Sequence, residues 1–195
     1  ASDVKVGADT IGNVVVAGSY EAAKQKIHLD NSSGVYRGNA SITAYGDMSF
    51  DSTSREPLKG KLQFNNTPLS WLNPVLTGFV SRLGGTINGE VNIAGSAVAP
   101  DIDGNIKLND AAMRIDFLGT HYTIPNANIA VNNTKIDLGK ITLYDVNKNT
   151  ATLSGQIKHD RFKNMNLNIN MSSPKFEVIN LDESESELFY GNLIA

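Results

Sequence analysis

The stretch NMNLNINMSS, from Asn164 to Ser173, alternates Met165, Leu167, Ile169 and Met171 with Asn164, Asn166, Asn168 and Asn170 without a slip. Successive side chains of a strand point to opposite faces, so this segment has one apolar face and one amide-coated face. The amide face suits water. The fold turns on what the Met-Leu-Ile-Met face meets.

The same alternation runs through the rest of the chain. Ile27 and Leu29 alternate with Lys26, His28 and Asp30, and Leu58, Gly60, Leu62 and Phe64 with Lys59, Lys61 and Gln63. Ile87, Gly89, Val91 and Ile93 alternate with Asn88, Glu90 and Asn92, as do Ile102, Gly104, Ile106 and Leu108 with Asp103, Asn105 and Lys107. Leu153, Gly155 and Ile157 continue the pattern, and shorter versions surround Val14, Ile42, Ile129, Ile136 and Ile141. Such runs, separated by Gly, Asn, Asp and Ser clusters, predict about a dozen short antiparallel strands in a meander. Gly60, Gly89, Gly104 and Gly155 share an apolar-x-Gly-x-apolar unit. Glycine on the apolar side of a strand marks a bend or a close backbone approach. Repeated, it lets a sheet curl about that face with room inside the curl.

One segment departs from this rhythm. Across residues 67–84, Leu69, Leu72, Leu76, Phe79, Val80 and Leu83 follow the spacing of one helical face. Thr67 with Pro68 reads as an N-cap and first turn, Pro74 as a kink, and Gly84 as a C-terminal stop. The expected organisation is therefore one fragment of a larger protein: strands over 1–66, an amphipathic helix over 67–84, and strands over 85–195. A helix of about 24 Å, at 1.5 Å per residue, cannot cover a dozen strands. The apolar face must meet itself, in a sandwich or barrel, or remain a wall for something else.

Composition narrows the function classes. The 195 residues carry a net charge of −3 and no cysteine. There is no basic footprint for nucleic acid, and thiolate chemistry and zinc-thiolate sites are excluded. No apolar run reaches the ~20 residues of a membrane-spanning helix. The polar opening ASDVKV shows no signal peptide, and LFYGNLIA reads as a strand in progress, so a segment of something longer is expected. No G-x-S-x-G, H-E-x-x-H, Walker loop or G-x-G-x-x-G occurs, and the reading is of a non-enzyme without metal or other cofactor. His28, His121 and His159 are expected at the surface. DIDGN (101–105) and DVNKN (145–149) lack the Gly and Glu of a calcium loop and are expected as turns. LDESESEL, 181–188, is expected as a solvated acidic loop.

Two stretches carry a resemblance. GEVNIAGSAVAPDIDGNIKLNDAAMRI, Gly89 to Ile115, resembles the repeated strand unit of the TamB/AsmA-like envelope proteins. DVNKNTATLSGQIKHDRF, Asp145 to Phe162, resembles the D-x-x-x-N-x-A-x-L-x-G-x-I-x-H signature of the TamB C-terminal region (the DUF490 family). PLSWLNPVLTGFVSRLGGTINGEV is similar to the helix that family places before its glycine-rich strands, and FYG at Phe189 to Gly191 fits its later part. The likeness covers roughly Leu58 onward.

The resemblance implies a β-taco: a long curled antiparallel sheet with an apolar trough, in a protein anchored in the inner membrane of a diderm bacterium and crossing the periplasm. It implies transport of phospholipid to the outer membrane, support of outer-membrane protein assembly, and an Omp85-type outer-membrane partner met through a segment not expected in this chain. The acyl-chain groove would then be lined by Leu62, Phe64, Val91, Ile93, Ile106, Leu108, Leu153, Ile157, Met165, Leu167, Ile169 and Met171. Gly60, Gly89, Gly104 and Gly155 would set its curvature. The alternative is a scaffold that holds strands of nascent outer-membrane proteins by β-augmentation.

Overall fold

From Gly34 to Ser172 each strand pairs with the next one in the chain, so this part advances as a meander. The computed structural model describes residues 1–2, 4–6, 9–51, 54, 57–73, 78, 80–96, 99–161, 163–184 and 190–195. Strand accounts for 73% of the described residues and helix for 5%, so the fold is all-β, as the period-2 pattern predicts. The strands are β1 (Val4–Val6), β2 (Asp9–Val15), β3 (Gly18–Glu21), β4 (Lys26–Leu29), β5 (Gly34–Arg37), β6 (Ala40–Ser49), β7 (Leu58–Pro68) and β8 (Val80–Gly95). They continue as β9 (Pro100–Ile115), β10 (Thr120–Asn132), β11 (Lys135–Tyr144), β12 (Thr150–Asp160), β13 (Lys163–Ser172), β14 (Glu177–Leu181) and β15 (Gly191–Ile194). The first thirteen form one antiparallel sheet with β1 and β3 at one edge and β13 at the other; β14 and β15 pair separately.

The N-terminal part is one hairpin with a break in each arm. β3 pairs with β4 and β2 with β5, while β4 and β5 lie end to end along one edge of β6. Buried Ser33 holds the break: its hydroxyl donates to the Ala17 carbonyl (2.8 Å) and accepts from the Ala17 amide (2.9 Å). A buried break in a ladder needs such a substitute partner.

The expected helix does not span 67–84: Asn73 is helical, 74–77 and 79 lie outside the described residues, and both ends of the span are strand. Thr67 and Pro68 close β7, and the buried Thr67 hydroxyl donates to the Ser41 carbonyl at 2.6 Å instead of capping a helix. Leu69 to Leu72 make a short 3-10 turn, Val80, Leu83 and Gly84 belong to β8, and Leu76 and Phe79 lie outside the described residues. The physical reason is bulging. The β8–β9 register shifts between Ser81 and Gly84 and again between Gly84 and Thr86, and Arg82 and Gly85 have positive φ. Extra residues in a strand stretch its period from two towards three or four, which mimics a helical face. DIDGN is likewise the start of β9 rather than a turn, whereas DVNKN is the β11–β12 turn. Of the acidic run, 185–188 lie outside the described residues.

The core gathers on one face near one end of the sheet. Thr67, Ile87, Leu108 and Ala127 are mutual cross-strand neighbours along one row, and all are buried. Ala111 pairs with Ile124, and Leu143 with Ala151. Leu69, from the 3-10 turn, joins this cluster. So does Phe176, which stacks on Tyr122 with ring centroids 5.0 Å apart. Tyr122 donates to the Glu177 carbonyl (2.9 Å) and the Asn180 amide to the Leu118 carbonyl (2.8 Å), tying β14 to that end. The sheet is not strongly curled, so the trough implied by the resemblance is not a feature of the fold as observed.

Candidate functional site: an apolar sheet face

Register decides which apolar residues share a surface. One row crosses eight strands through consecutive paired neighbours: Ala44, Leu62, Val91, Gly104, Val131, Ile136, Ile157 and Leu167. At the usual ~4.8 Å between strands it is about 34 Å long. A parallel row joins Ile42, Phe64, Gly89, Ile106 and Ile129. Most of these side chains are half-buried, and among the described residues their elements mainly contact neighbouring strands of the sheet. Apart from neighbouring strands, the main element contacts are the 3-10 turn Leu69–Leu72 on β8 and β14 on β10, both at the core end.

The rows place the predicted groove residues as follows. Leu62, Val91, Ile93, Ile106 and Ile157 are half-buried on the uncovered part of the face. Phe64 and Leu153 pack against the core, and Leu108 belongs to it. Met165, Leu167, Ile169 and Met171 lie at the edge, 54%, 66%, 36% and 44% exposed, with Leu167 opposite Ile157 and Met171 opposite Leu153. All are therefore on one sheet face, but they do not enclose a single cavity.

The glycines show the close backbone approach that is one of the two expectations for them. A Cβ on Gly89 would overlap the carbonyl oxygen of Asn105, one on Gly104 that of Glu90, and one on Gly155 that of Asn168. A Cβ on Gly60 would press on the Tyr45 carbonyl at 3.0 Å. These positions admit a neighbouring backbone, rather than clear space inside a curl.

One glycine pair does shape the surface. Gly46 faces Gly60 across β6 and β7, and a depression of about 260 Å³ opens over them. Ile27, Leu29, Ala44, Met48, Leu58, Leu62 and Ile93 line it. It falls short of the roughly 300–1,000 Å³ of a drug-sized site and suits a length of alkyl chain. The sequence reading named Leu62, Ile93 and Gly60 here but not Gly46, Ile27 or Met48. Their alternation was legible; the pairing that gathers them was not.

Charge gathers on the opposite face. Lys61 pairs with Glu90 at 2.9 Å, which holds the Glu90 carboxyl below the usual range. His28 meets Asp47 at 2.9 Å and Lys26 meets it at 3.2 Å, and the His28 hydrogen bond is the larger cause of a lowered Asp47 pKa. His159 departs from expectation: it is buried, because it follows Leu153, Gly155 and Ile157 onto the apolar face. Comparison with protein-family models, with curated proteins and with solved structures finds no match.

Proposed function

We propose that this chain is a non-catalytic segment of a periplasm-spanning envelope protein, whose apolar sheet face shields phospholipid acyl chains between inner and outer membrane and so supports outer-membrane biogenesis. The observation that carries the reading is the uncovered apolar face itself, with its eight-strand row and the depression over Gly46 and Gly60. Large open apolar faces mark interaction sites, because each Å² left in water costs ~25 cal/mol. The binding is by area and not by placed polar groups, which suits alkyl chains of any headgroup. The resemblance of Gly89 to Ile115 and of Asp145 to Phe162 to TamB/AsmA-like proteins supports the envelope setting, the inner-membrane anchor of the full-length protein, its Omp85-type partner, and closure of the face into a β-taco trough when lipid is held. The alternative, a scaffold for outer-membrane protein strands, needs an open sheet edge; among the described residues β13, paired with β12 alone, is one.

Native mass spectrometry of the chain with phosphatidylethanolamine tests the reading. Bound lipid is expected, and Ile27→Arg is expected to weaken it about tenfold or more, since an apolar side chain contributes ~1.5–3 kcal/mol when covered. Ile27 is already 39% exposed, so the fold should survive the change. A chain that takes up no phospholipid, or one indifferent to Ile27→Arg and to Leu62→Arg together, overturns it.

A further inference from the structure

The two edges of the main sheet are built differently. β1, three residues long with Lys5 at its centre, and β3, four residues long and ending on Glu21, make short and charged edges of the kind that resist pairing. β13 has ten residues, all exposed, and among the described residues it pairs with β12 alone. Between Lys163 and Lys175 no charged residue occurs, and no proline before Pro174. Its one register shift with β12, with Asn164 at positive φ, lies at the start of the strand, and from Asn166 to Ser172 the pairing runs unshifted. A long edge that is uncharged and regularly paired beyond its first residues is a template for another strand.

The sequence of that edge selects the strand. From Met165 to Met171 it reads Met-Asn-Leu-Asn-Ile-Asn-Met, the same in either direction except that Leu167 mirrors Ile169. In an antiparallel pair, residues directly opposite share a face and interact. A second β13 centred on Asn168 sets Met165 against Met171, Leu167 against Ile169, Asn166 against Asn170, and Asn168 against itself. Every apolar residue then meets an apolar one and every amide an amide, which can donate and accept in both directions. A foreign strand requires no such palindrome; a two-fold, self-complementary contact does.

We propose that β13 pairs antiparallel with β13 of a second copy of this chain, about a two-fold axis through Asn168 perpendicular to the sheet. Both apolar faces then lie on the same side, and the row ending at Leu167 continues across the joint. The inference stands on the edge alone and does not rest on the lipid reading.

Sedimentation of the whole chain across micromolar concentrations tests it, together with cross-linking. The wild type is expected as a dimer. Asn168→Lys, which sets two like charges face to face at the axis, is expected to weaken it at least tenfold with an unchanged Tm, as is Leu167→Lys. The chain has no cysteine, so a single one reports register. Opposite residues in antiparallel strands have Cα atoms ~4.5–5.5 Å apart, within disulfide reach. Asn168→Cys is therefore expected to oxidise to a covalent dimer. Asn164→Cys, whose own copy would stand eight residues away, roughly 26 Å at ~3.3 Å per residue, is expected not to. A monomer at every concentration, a dimer that withstands both lysine variants, or equal cross-linking at 164 and 168 overturns the proposal. So does a monomer whose β13 edge takes up an unrelated strand peptide.

Discussion

Asp145 is 2% exposed, and burial by itself would push its carboxyl pKa up. The opposing hydrogen bonds win. The Asn149 side-chain amide donates to it at 2.8 Å, the Glu177 amide at 3.0 Å, and the Asn147 and Asn149 amides at 2.9 and 2.8 Å, leaving the pKa below the ordinary value. One carboxylate thus closes the β11–β12 turn and anchors β14. A depressed folded pKa contributes stability that is complete above the unfolded value, about 3.9, and is lost as pH falls through the folded one. Asp145→Ala is expected to lower unfolding free energy by roughly 2–4 kcal/mol at neutral pH. Denaturant midpoints across pH should show a wild type that destabilises on acidification below about pH 4, and an Asp145→Asn variant with a shallower loss there. A midpoint difference between the two that does not change with pH would contradict the assignment. The turn was legible in DVNKN because Asp and Asn at that spacing bond their own backbone. The tie to Glu177, thirty-two residues on, was not, since nothing local encodes it.

At the scale of elements, β14 and the 3-10 turn Leu69–Leu72 are what packs on the sheet at its core end among the described residues. Phe176, 1% exposed, is the main apolar anchor of β14. Phe176→Ala is expected to cost about 3–5 kcal/mol. Hydrogen exchange should then show lost protection at Glu177–Leu181 while β7–β9 stay protected. Uniform loss along the chain would mean that β14 is an integral part of the core and not a cap. The strands themselves were legible because each keeps a period of two over its length. The C-terminal bound expected for the helix shows the limit of that signal. Val80, Leu83 and Ile87 stand three and four apart because β8 bulges, and spacing without register cannot separate a bulged strand from a helix turn. His159 was misplaced for the converse reason: its residue type outweighed a parity that already set it with Leu153 and Ile157.

For the molecule as a whole, the apolar face depends on long-range register. Alternation told which residues of β7, β8, β9, β12 and β13 share a side, and those residues do fall on one face. It could not tell that Leu108 would sit under the core end while Ile93 stays uncovered, because that depends on where the Leu69–Leu72 turn and Phe176 fold back. Nor could it pair Gly46 with Gly60, on which the depression depends. The account therefore divides one face into a capped core and an open wall. Methyl NMR of the isoleucines, titrated with a phospholipid bearing a nitroxide on its acyl chain, tests that division most directly. The account predicts that Ile27 and Ile93 broaden first, while Ile124 and Ile141, in the capped core, keep their signals. Broadening of all of them alike, or of none at lipid excess, would contradict an open apolar wall that accepts acyl chains.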